Sequence, residues 1–318
     1  MKWKKLGKIF DPTKVQLADG CTAYAQSPQA LVFEDFVRIY FSTRKLEESS
    51  GKYLSFVSFA DYDKTFKNII KVSDHTIIEL GALGCFDEHG IFPFSPMRME
   101  NKIFAYTCGW SRRISVSVET SIGLAMSEDN GLTFKKLGTG PVLTASLHEP
   151  FLINDAFVRV YDGVYHCWYS YGLRWIRHSN EADPDRVYKL GHATSHDGIS
   201  WKKEGKQLVK DVLNVDECQA LPTVIQFNDM YHMLFTYRYA TDFRKNPARA
   251  YRIGYASSAD LVNWTRLDDC EGLEKTSEGW DSEMMCYPHV FALENDIYLL
   301  YNGNEFGKYG FGLAVLEK

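Results

Sequence analysis

The sequence predicts an all-β fold, a single five-bladed β-propeller of four-stranded antiparallel blades whose last blade is closed by the N-terminal strand. Three observations predict it. A hairpin pattern recurs five times, a serine-aspartate corner follows most of the hairpins, and the first residues match the outer strands of the blades. Such repetition is typical of propellers and other repeat architectures. Residues 1–318 are therefore expected to form one domain.

Each predicted hairpin consists of an apolar run, a two-residue turn and an aromatic-rich run of alternating polarity. The apolar runs begin at Pro28, Pro96, Asp155, Pro222 and Pro288. Asp, Asn and Gly occupy most turn positions because they tolerate the positive φ of tight hairpins. The predicted turns are Glu34-Asp35, Glu100-Asn101, Asp162-Gly163, Asn228-Asp229 and Asn295-Asp296.

A corner motif with an aspartate follows three of the hairpins, and an aromatic residue then opens the outer strand. Its aspartates are Asp129, Asp197 and Asp260, which we expect to shape turns rather than to act in chemistry. The last copy, FGLAVLEK from Phe311, lacks an outer strand. The N-terminal MKWKKLG supplies the matching segment, and its pairing with the last blade would protect two open sheet edges.

Composition restricts the partners and the compartment of the protein. Hydrophobic residues make up 45% and aromatic residues 14% of the chain, which indicates a folded protein. A net charge of -5 argues against nucleic-acid binding. The N-terminus has no apolar segment of a secretory signal, and no stretch is long enough for a membrane helix. The seven cysteines are scattered without a CxxC pair, so we expect free thiols and a cytoplasmic location.

Motifs for common cofactors and metals are missing from the sequence. It contains no GxxxxGK[ST], GxGxxG or GxSxG pattern, and no HxH, HExxH or CxxC spacing. We therefore expect neither a cofactor nor a metal, and the sequence leaves the oligomeric state open.

Two corners carry a resemblance to a known group of proteins. SxDGxxW at Ser195–Trp201 and SSADLVNW at Ser257–Trp264 resemble the blade corners of five-bladed propeller glycosidases, the arabinanase, xylosidase, invertase and mannoside phosphorylase clans. The resemblance implies a carbohydrate or glycoside ligand at one end of the central tunnel. It also implies an Asp base or nucleophile from blade 1, an orienting Asp from blade 3 and a general-acid Glu from blade 4.

Carried onto this chain, the resemblance gives three candidate catalytic residues. Asp155 in INDAFV stands where the family has its orienting aspartate, and Glu217 in VDECQALP is the candidate general acid. Blade 1 departs from the pattern, since Gln26-Ser27-Pro28 replaces the expected Asp-Pro. Glu283, at the same offset before a proline as Glu217, is the candidate replacement for that base.

Residues near the hairpin ends are candidates for binding the sugar. Aromatic rings stack on the apolar faces of sugars, and arginines bind phosphate. Two charged segments follow hairpins, 173–188 and 238–251. They are expected to surround the opening of the central tunnel. The arginines near blade ends are Arg44, Arg98, Arg113, Arg174, Arg177 and Arg238. The predicted substrate-binding residues are Arg98, Trp110, Glu149, Tyr171, Arg238 and Asn302.

These residues predict a glycoside hydrolase-like enzyme that cleaves a glycosidic bond with carboxylates of the inner strands. Two alternatives stay open. A glycoside phosphorylase would use inorganic phosphate as the nucleophile and would not need the missing blade-1 aspartate. A non-catalytic carbohydrate-binding or interaction propeller would need none of the three carboxylates.

Overall fold

The computed structural model describes residues 1–177, 183–213 and 216–318. Within these residues the fold is almost entirely β-structure, with one four-residue helix, α1 (Asn304–Gly307), and short 3-10 turns at Pro12–Lys14 and Ala18–Gly20. No helix among them is long and apolar enough to cross a membrane. The strands, in chain order, are β1 (Trp3–Phe10), β2 (Ala23–Val32), β3 (Val37–Glu47), β4 (Lys52–Tyr62), β5 (Ile69–Val72), β6 (Gly90–Met99), β7 (Lys102–Arg112), β8 (Val118–Ser127), β9 (Lys135–Lys136), β10 (Ile153–Tyr161), β11 (Val164–Ile176), β12 (Asp185–Ser195), β13 (Lys202–Lys203), β14 (Glu217–Phe227), β15 (Met230–Tyr239), β16 (Arg252–Ser258), β17 (Thr265–Arg266), β18 (Cys286–Leu293), β19 (Asp296–Asn302) and β20 (Phe311–Leu316).

The strands form four-stranded antiparallel sheets and one larger sheet. The orders of the smaller sheets are β10-β11-β12-β13, β14-β15-β16-β17 and β1-β20-β19-β18. The eight-stranded sheet runs β2-β3-β4-β6-β7-β8-β9, with β5 paired to β4. The pairing of β4 with β6 is parallel and goes through Ser55 and Gly90, so this sheet consists of two antiparallel groups joined at one residue pair.

The predicted hairpin turns are found in the structure, with two shifts. Asp162-Gly163 and Asn228-Asp229 join their strands directly, and all four residues have positive φ, as two-residue hairpin turns of type I′ require. Glu100-Asn101 also joins its strands directly. The first turn is wider than predicted, and the last lies at Glu294-Asn295, one residue earlier, because Asp296 already pairs with Leu293.

Hydrogen bonds at the corners confirm the structural role of their aspartates. Ser195 Oγ donates to Asp197 Oδ1 at 2.8 Å, and the same oxygen accepts the backbone N–H groups of Ile199 and Ser200. Asp260 accepts from Ser258, Val262 and Asn263 in the same way. Each aspartate therefore accepts hydrogen bonds from the backbone N–H groups of its own turn, which is a structural role.

The first strand of each hairpin faces the interior of the molecule. We call these strands, β2, β6, β10, β14 and β18, the inner strands. Each contacts the next in chain order, and β18 contacts β2, so their contacts form a cycle. Apolar side chains fill the spaces between neighbouring sheets.

The N-terminal strand pairs with the C-terminal strand, as the sequence predicts. β1 lies antiparallel to β20, from Trp3 opposite Leu316 to Phe10 opposite Phe311. The Phe10 ring is 1% exposed, and its centroid lies 5.1 Å from that of Phe311 and 4.9 Å from that of Phe41. Phe10 therefore joins the two ends of the chain to β3.

Replacing Phe10 by alanine should destabilise the whole fold. Removal of a buried phenylalanine typically costs about 3–5 kcal/mol, because the cavity it leaves fills only partly. Leu6→Ala in the same strand is the control, since Leu6 is 46% exposed and the change should cost less than about 1 kcal/mol. Urea unfolding measures both. Equal effects of the two changes would contradict a structural role for β1.

Candidate functional site

The inner strands share a bulge near their first residues. Register shifts interrupt the pairing of all of them with their hairpin partners, at Gln26/Gln29, Ile91/Phe94, Asn154/Phe157, Ala220/Thr223 and Cys286/His289. Four bulges hold a non-glycine residue with positive φ, namely Ser27, Asp155, Leu221 and Tyr287. Left-handed backbone costs such residues about 1–2 kcal/mol, although Asp tolerates it best of the four. Asp155 is the only acid at these four positions.

A large cavity opens beside the bulges. Its volume is about 780 Å³. Residues of several sheets line it, among them Tyr24, Gln26, Arg44, Phe92, Trp110, Asn154, Asp155, Asp185, Arg186, Arg238, Phe243, Arg244, Tyr251, Tyr287, Glu305 and Phe306. Small-molecule sites have volumes in this range, and aromatic, polar and charged side chains together form the walls of this one.

Asp155 is the buried carboxyl group of this cavity. Its side chain is almost fully buried, and Oδ2 accepts hydrogen bonds from Asn154 Nδ2 at 2.8 Å, Ser170 Oγ at 3.0 Å and the Leu221 N–H at 3.4 Å. Burial raises the pKa of Asp155 to about 6, although these hydrogen bonds and the Arg186 charge oppose the rise. The carboxyl group can therefore change its protonation state near neutral pH.

The raised pKa also links the ionisation of Asp155 to stability. A carboxyl group with a raised pKa in the folded state stabilises the fold while it is protonated, and this contribution is lost as the pH rises to about 6. Ionised Asp155 is thus held in the cavity at a cost in stability. Perturbed groups of this kind cluster at functional sites.

Arg238 brings a buried positive charge to the same cavity. Its side chain is 2% exposed. Nε donates to Tyr188 Oη at 3.2 Å, and Nη1 donates to the carbonyl oxygens of Tyr239 and Ala240 at 2.7 and 3.1 Å. The guanidinium lies 3.5 Å from the centroid of the Phe243 ring. No described carboxylate pairs with it, so neutral groups and an aromatic face hold the charge in place.

Three further arginines line the cavity. Arg44 Nε donates to Gln26 Oε1 at 2.9 Å, and burial lowers the pKa of Arg44, as expected for a cation removed from water. Arg186 lies over the Trp175 ring at 5.9 Å, and the exposed Arg244 lies over Phe243 at 4.4 Å. The cavity therefore combines one buried acid with several guanidinium groups.

The aromatic wall provides flat apolar surface. Tyr251 and Tyr287 are buried with ring centroids 5.8 Å apart, and Phe306 packs edge-on against Tyr251 at 6.0 Å. Burial raises the pKa of Tyr287 far above its ordinary range, so its hydroxyl stays neutral. Trp110, half-buried, lines the same cavity and stacks on His89 at 5.9 Å. Such rings suit the apolar faces of a sugar.

The structure brings together three of the nine site residues predicted from sequence. Asp155, Trp110 and Arg238 line the cavity, and the other six do not. The charged segments after the hairpins contribute to it as expected, with Asp185 and Arg186 from one and Arg238, Phe243, Arg244 and Tyr251 from the other. Residues 178–182 of the first segment lie outside the described residues.

Glu217, the predicted general acid, does not line the cavity. It is fully buried, and Oε1 accepts from Arg266 Nη1 at 2.5 Å and from Gln219 Nε2 at 2.8 Å. Oε2 accepts the backbone N–H groups of Val212 and Leu213, both at 2.8 Å. The carboxylate holds the loop at Val212 and Leu213 in place. Because it does not reach the cavity, it is not placed to protonate a ligand there.

Four other predicted residues also do not line the cavity. The Glu283 side chain is exposed, and Arg98, also exposed, lies over Phe33 beside the turn at the far end of β6. Glu149 is buried, paired with Lys203 at 2.7 Å and bonded by Tyr169 Oη, which packs beside the buried Tyr171.

Asn302 is the remaining predicted residue, and it holds a bulge together. Its Oδ1 accepts the Ser27 N–H at 2.8 Å, and Nδ2 donates to the Ala25 and Gly310 carbonyl oxygens at 2.8 and 2.7 Å. All these bonds are to backbone groups, and the side chain is fully buried. Asn302 therefore supports the shape of the cavity without lining it.

Several cavity residues were not among the predicted site residues. Asn154, Arg186, Arg244, Tyr251 and Tyr287 line the cavity. Asn154 adjoins Asp155 and Tyr287 precedes Pro288 at the fifth hairpin, so the repeat itself marks both positions. Among the described residues, no group of three His, Cys, Asp or Glu side chains is placed to hold a metal ion.

Comparison with known proteins gives two full-length relatives. No protein-family model matches the chain. The chain is 31% identical over 318 residues to two Mycobacterium tuberculosis proteins, uncharacterized protein MT1551 of strain CDC 1551 / Oshkosh and uncharacterized protein Rv1502 of strain ATCC 25618 / H37Rv. The match covers 100% of this chain and of each relative.

Solved structures share the fold at low identity. A protein named glycoside hydrolase has a TM-score of 0.75 at 16% identity, and BT0996 in an RGII complex has 0.74 at 17%; each match covers 99% of this chain and 93% of the other protein. The β-1,2-mannobiose phosphorylase of Listeria innocua, in complex with β-1,2-mannobiose, has 0.67 at 10%, covering 99% and 96%. The chain thus has the fold of the β-propeller glycosidases that its corners resemble.

Glu217→Gln should destabilise the fold. Both oxygens of Glu217 accept hydrogen bonds, so the NH₂ group of glutamine would point at a donor whichever way the amide is turned. Breaking a buried ion pair typically costs about 3–5 kcal/mol. Glu283→Gln is the matched control, since that side chain is exposed and should change stability by less than about 0.5 kcal/mol. Urea unfolding at neutral pH measures both. A Glu217→Gln protein as stable as the wild type would contradict the structural role of Glu217.

Proposed function

The chain belongs to the family of the Mycobacterium tuberculosis proteins MT1551 and Rv1502, and we propose that it is an enzyme that cleaves a glycosidic bond. The observation that carries the proposal is Asp155, a buried carboxyl group with a pKa raised to about 6 in the wall of a large cavity. We assign the proton-transfer role to Asp155 rather than to Glu217 or Glu283, since neither of those residues lines the cavity.

The proposed architecture is a single five-bladed propeller. Dividing the eight-stranded sheet at the Ser55–Gly90 pair gives five groups of four strands, the last completed by β1. The cycle of contacts among the inner strands supports this division. The cavity beside the bulges would then lie at one end of the axis, and we retain the single domain and the cytoplasmic location as parts of the proposal.

Protonated Asp155 would donate its proton to the leaving oxygen as the glycosidic bond breaks. General acids work best when their pKa lies near the operating pH, and burial has moved the pKa of Asp155 toward neutral pH. Ser170 and the Leu221 N–H hold one carboxyl oxygen in place. The aromatic wall at Tyr251 and Tyr287 would stack on the sugar, and the mannobiose in the phosphorylase structure supports a sugar ligand.

Hydrolysis also requires a group that activates water, commonly a second carboxylate. Asp185 and Glu305 line the cavity and are candidates for this role, although Glu305 pairs with Lys308 at 2.8 Å. In this reaction water attacks the anomeric carbon while Asp155 protonates the leaving group.

Phosphorolysis is the second candidate reaction, and two observations favour it. Asp155 is the only acid at the four left-handed bulge positions, and several arginines line the cavity. A bound phosphate would attack the anomeric carbon itself, so that one carboxyl group suffices. The arginines would hold the phosphate by charge-assisted hydrogen bonds.

Asp155→Asn should abolish sugar release from a panel of glycosides and oligosaccharides. Loss of a general acid typically costs about 10²–10⁴-fold in rate, and asparagine tolerates the left-handed backbone as aspartate does. Glu283→Gln should keep full activity. The wild-type kcat/KM should fall as the pH rises through about 6, because the donor loses its proton. Assays with and without phosphate distinguish phosphorolysis from hydrolysis.

Two outcomes would contradict the proposal. Sugar release by Asp155→Asn at the wild-type rate would remove Asp155 from the chemistry. Sugar binding by the wild type without turnover across the panel would instead indicate a carbohydrate-binding protein with the same fold.

A further inference from the structure

Arg238 presents to the cavity a charge that no carboxylate of residues 1–177, 183–213 and 216–318 pairs with. Its Nε and Nη1 donate to Tyr188, Tyr239 and Ala240, and the Tyr251 side chain is a further neutral partner. The side chain lines the cavity and is 2% exposed. A buried charge without an opposite charge is costly, and fixed dipoles and a ring face offset only part of that cost. An anion in the cavity would neutralise it.

Arg44 offers a second guanidinium, with open hydrogen-bonding groups. Its Nε donates to Gln26, and neither Nη1 nor Nη2 donates to a described residue. A guanidinium with two free terminal nitrogens matches the two oxygens of a carboxylate or phosphate. Arg44 also lines a neighbouring cavity of about 510 Å³, so it stands where the two spaces meet.

Four arginines and four acids line the first cavity, whereas the second cavity is basic. Lys52, Arg112, Arg113 and Arg177 line it, and Arg112 and Arg113 already pair with Glu47 and Glu119. Arginine and lysine outnumber aspartate and glutamate among the residues that line the two cavities, although the chain as a whole carries a net charge of -5. Such a concentration of positive charge in a cleft attracts anionic ligands.

We infer that the glycoside itself carries an oxyanion group, a phosphate or a carboxylate, which Arg44 and Arg238 bind. The inference rests on the proposed function and names its class of substrate, an anionic sugar or glycoside. Arg44 lines both cavities and so connects the arginines of the inner cavity with those of the outer one, and Asp183 also lines both. An elongated anionic ligand contacts both spaces, whereas a free phosphate ion fills only one.

Binding calorimetry tests this inference without any need for turnover. The probes are a neutral hexose, its 6-phosphate, the corresponding hexuronate and inorganic phosphate, each measured with the wild type, Arg44→Gln and Arg98→Gln. Arg98 is the matched control, because it is exposed and lies outside both cavities. Arg244→Gln, an exposed position in the inner cavity, is a second variant in case Arg44→Gln does not fold.

The wild type should bind the 6-phosphate or the hexuronate at least about tenfold more tightly than the neutral hexose, as expected for a charge-assisted pair. Arg44→Gln should remove that preference, Arg244→Gln should reduce it, and Arg98→Gln should retain it. The preference should also weaken as salt is added.

Two results would overturn the inference. Equal affinity for neutral and anionic sugars would show that the arginines bind no group of the sugar. Inorganic phosphate that binds as tightly as the 6-phosphate would identify a free ion as the ligand and would favour phosphorolysis. Failure of the proposed function is a separate result, because it appears as no turnover by the wild type or as unchanged turnover in Asp155→Asn, whichever sugar binds.

Discussion

The bulge in each inner strand is the feature that shapes the site. At Ser27, Asp155, Leu221 and Tyr287 the backbone adopts positive φ, which L-residues other than asparagine and aspartate adopt at a cost. Strained backbone persists only where surrounding contacts impose it, and it concentrates at functional sites. Asn302 bonds the Ser27 bulge, and Asp155 bonds the Leu221 bulge, so neighbouring sheets fix one another's geometry.

Burial of charge accounts for the properties of the cavity. Asp155 has no described basic partner within ion-pair distance, and its carboxyl group is removed from water, which is why its pKa rises. Arg238 is equally buried, but it meets carbonyl oxygens and a phenyl ring instead of a carboxylate. Asp155 can exchange a proton with a ligand, and Arg238 can pair with an anionic group of a ligand. By contrast, the Glu217 carboxylate already accepts four hydrogen bonds from the protein, so it is not available to a ligand.

The sequence indicated the repeating parts of the structure and missed much of the site, for physical reasons. Hairpin turns such as Asp162-Gly163 and corners such as Ser195/Asp197 are local, so their residues alone determine them. Asp155 was found because it lies near the start of an inner strand, where the family that the sequence resembles has its orienting aspartate. Glu217 and Glu283 share an offset before proline, yet one is buried in an ion pair and the other is exposed. That difference comes from Arg266, a residue far along the chain, and no local pattern reveals it.

Burial in the cavity poises the Asp155 carboxyl group for proton transfer near neutral pH, and the proposed chemistry depends on this property. Titration of the aspartate side-chain carboxyl carbons by ¹³C NMR measures the pKa of Asp155 in the folded protein, with the Asp155→Asn spectrum to assign the signal. We expect a midpoint of about 6 for Asp155. A midpoint near the ordinary aspartate value of about 3.9 would contradict the role given to this residue.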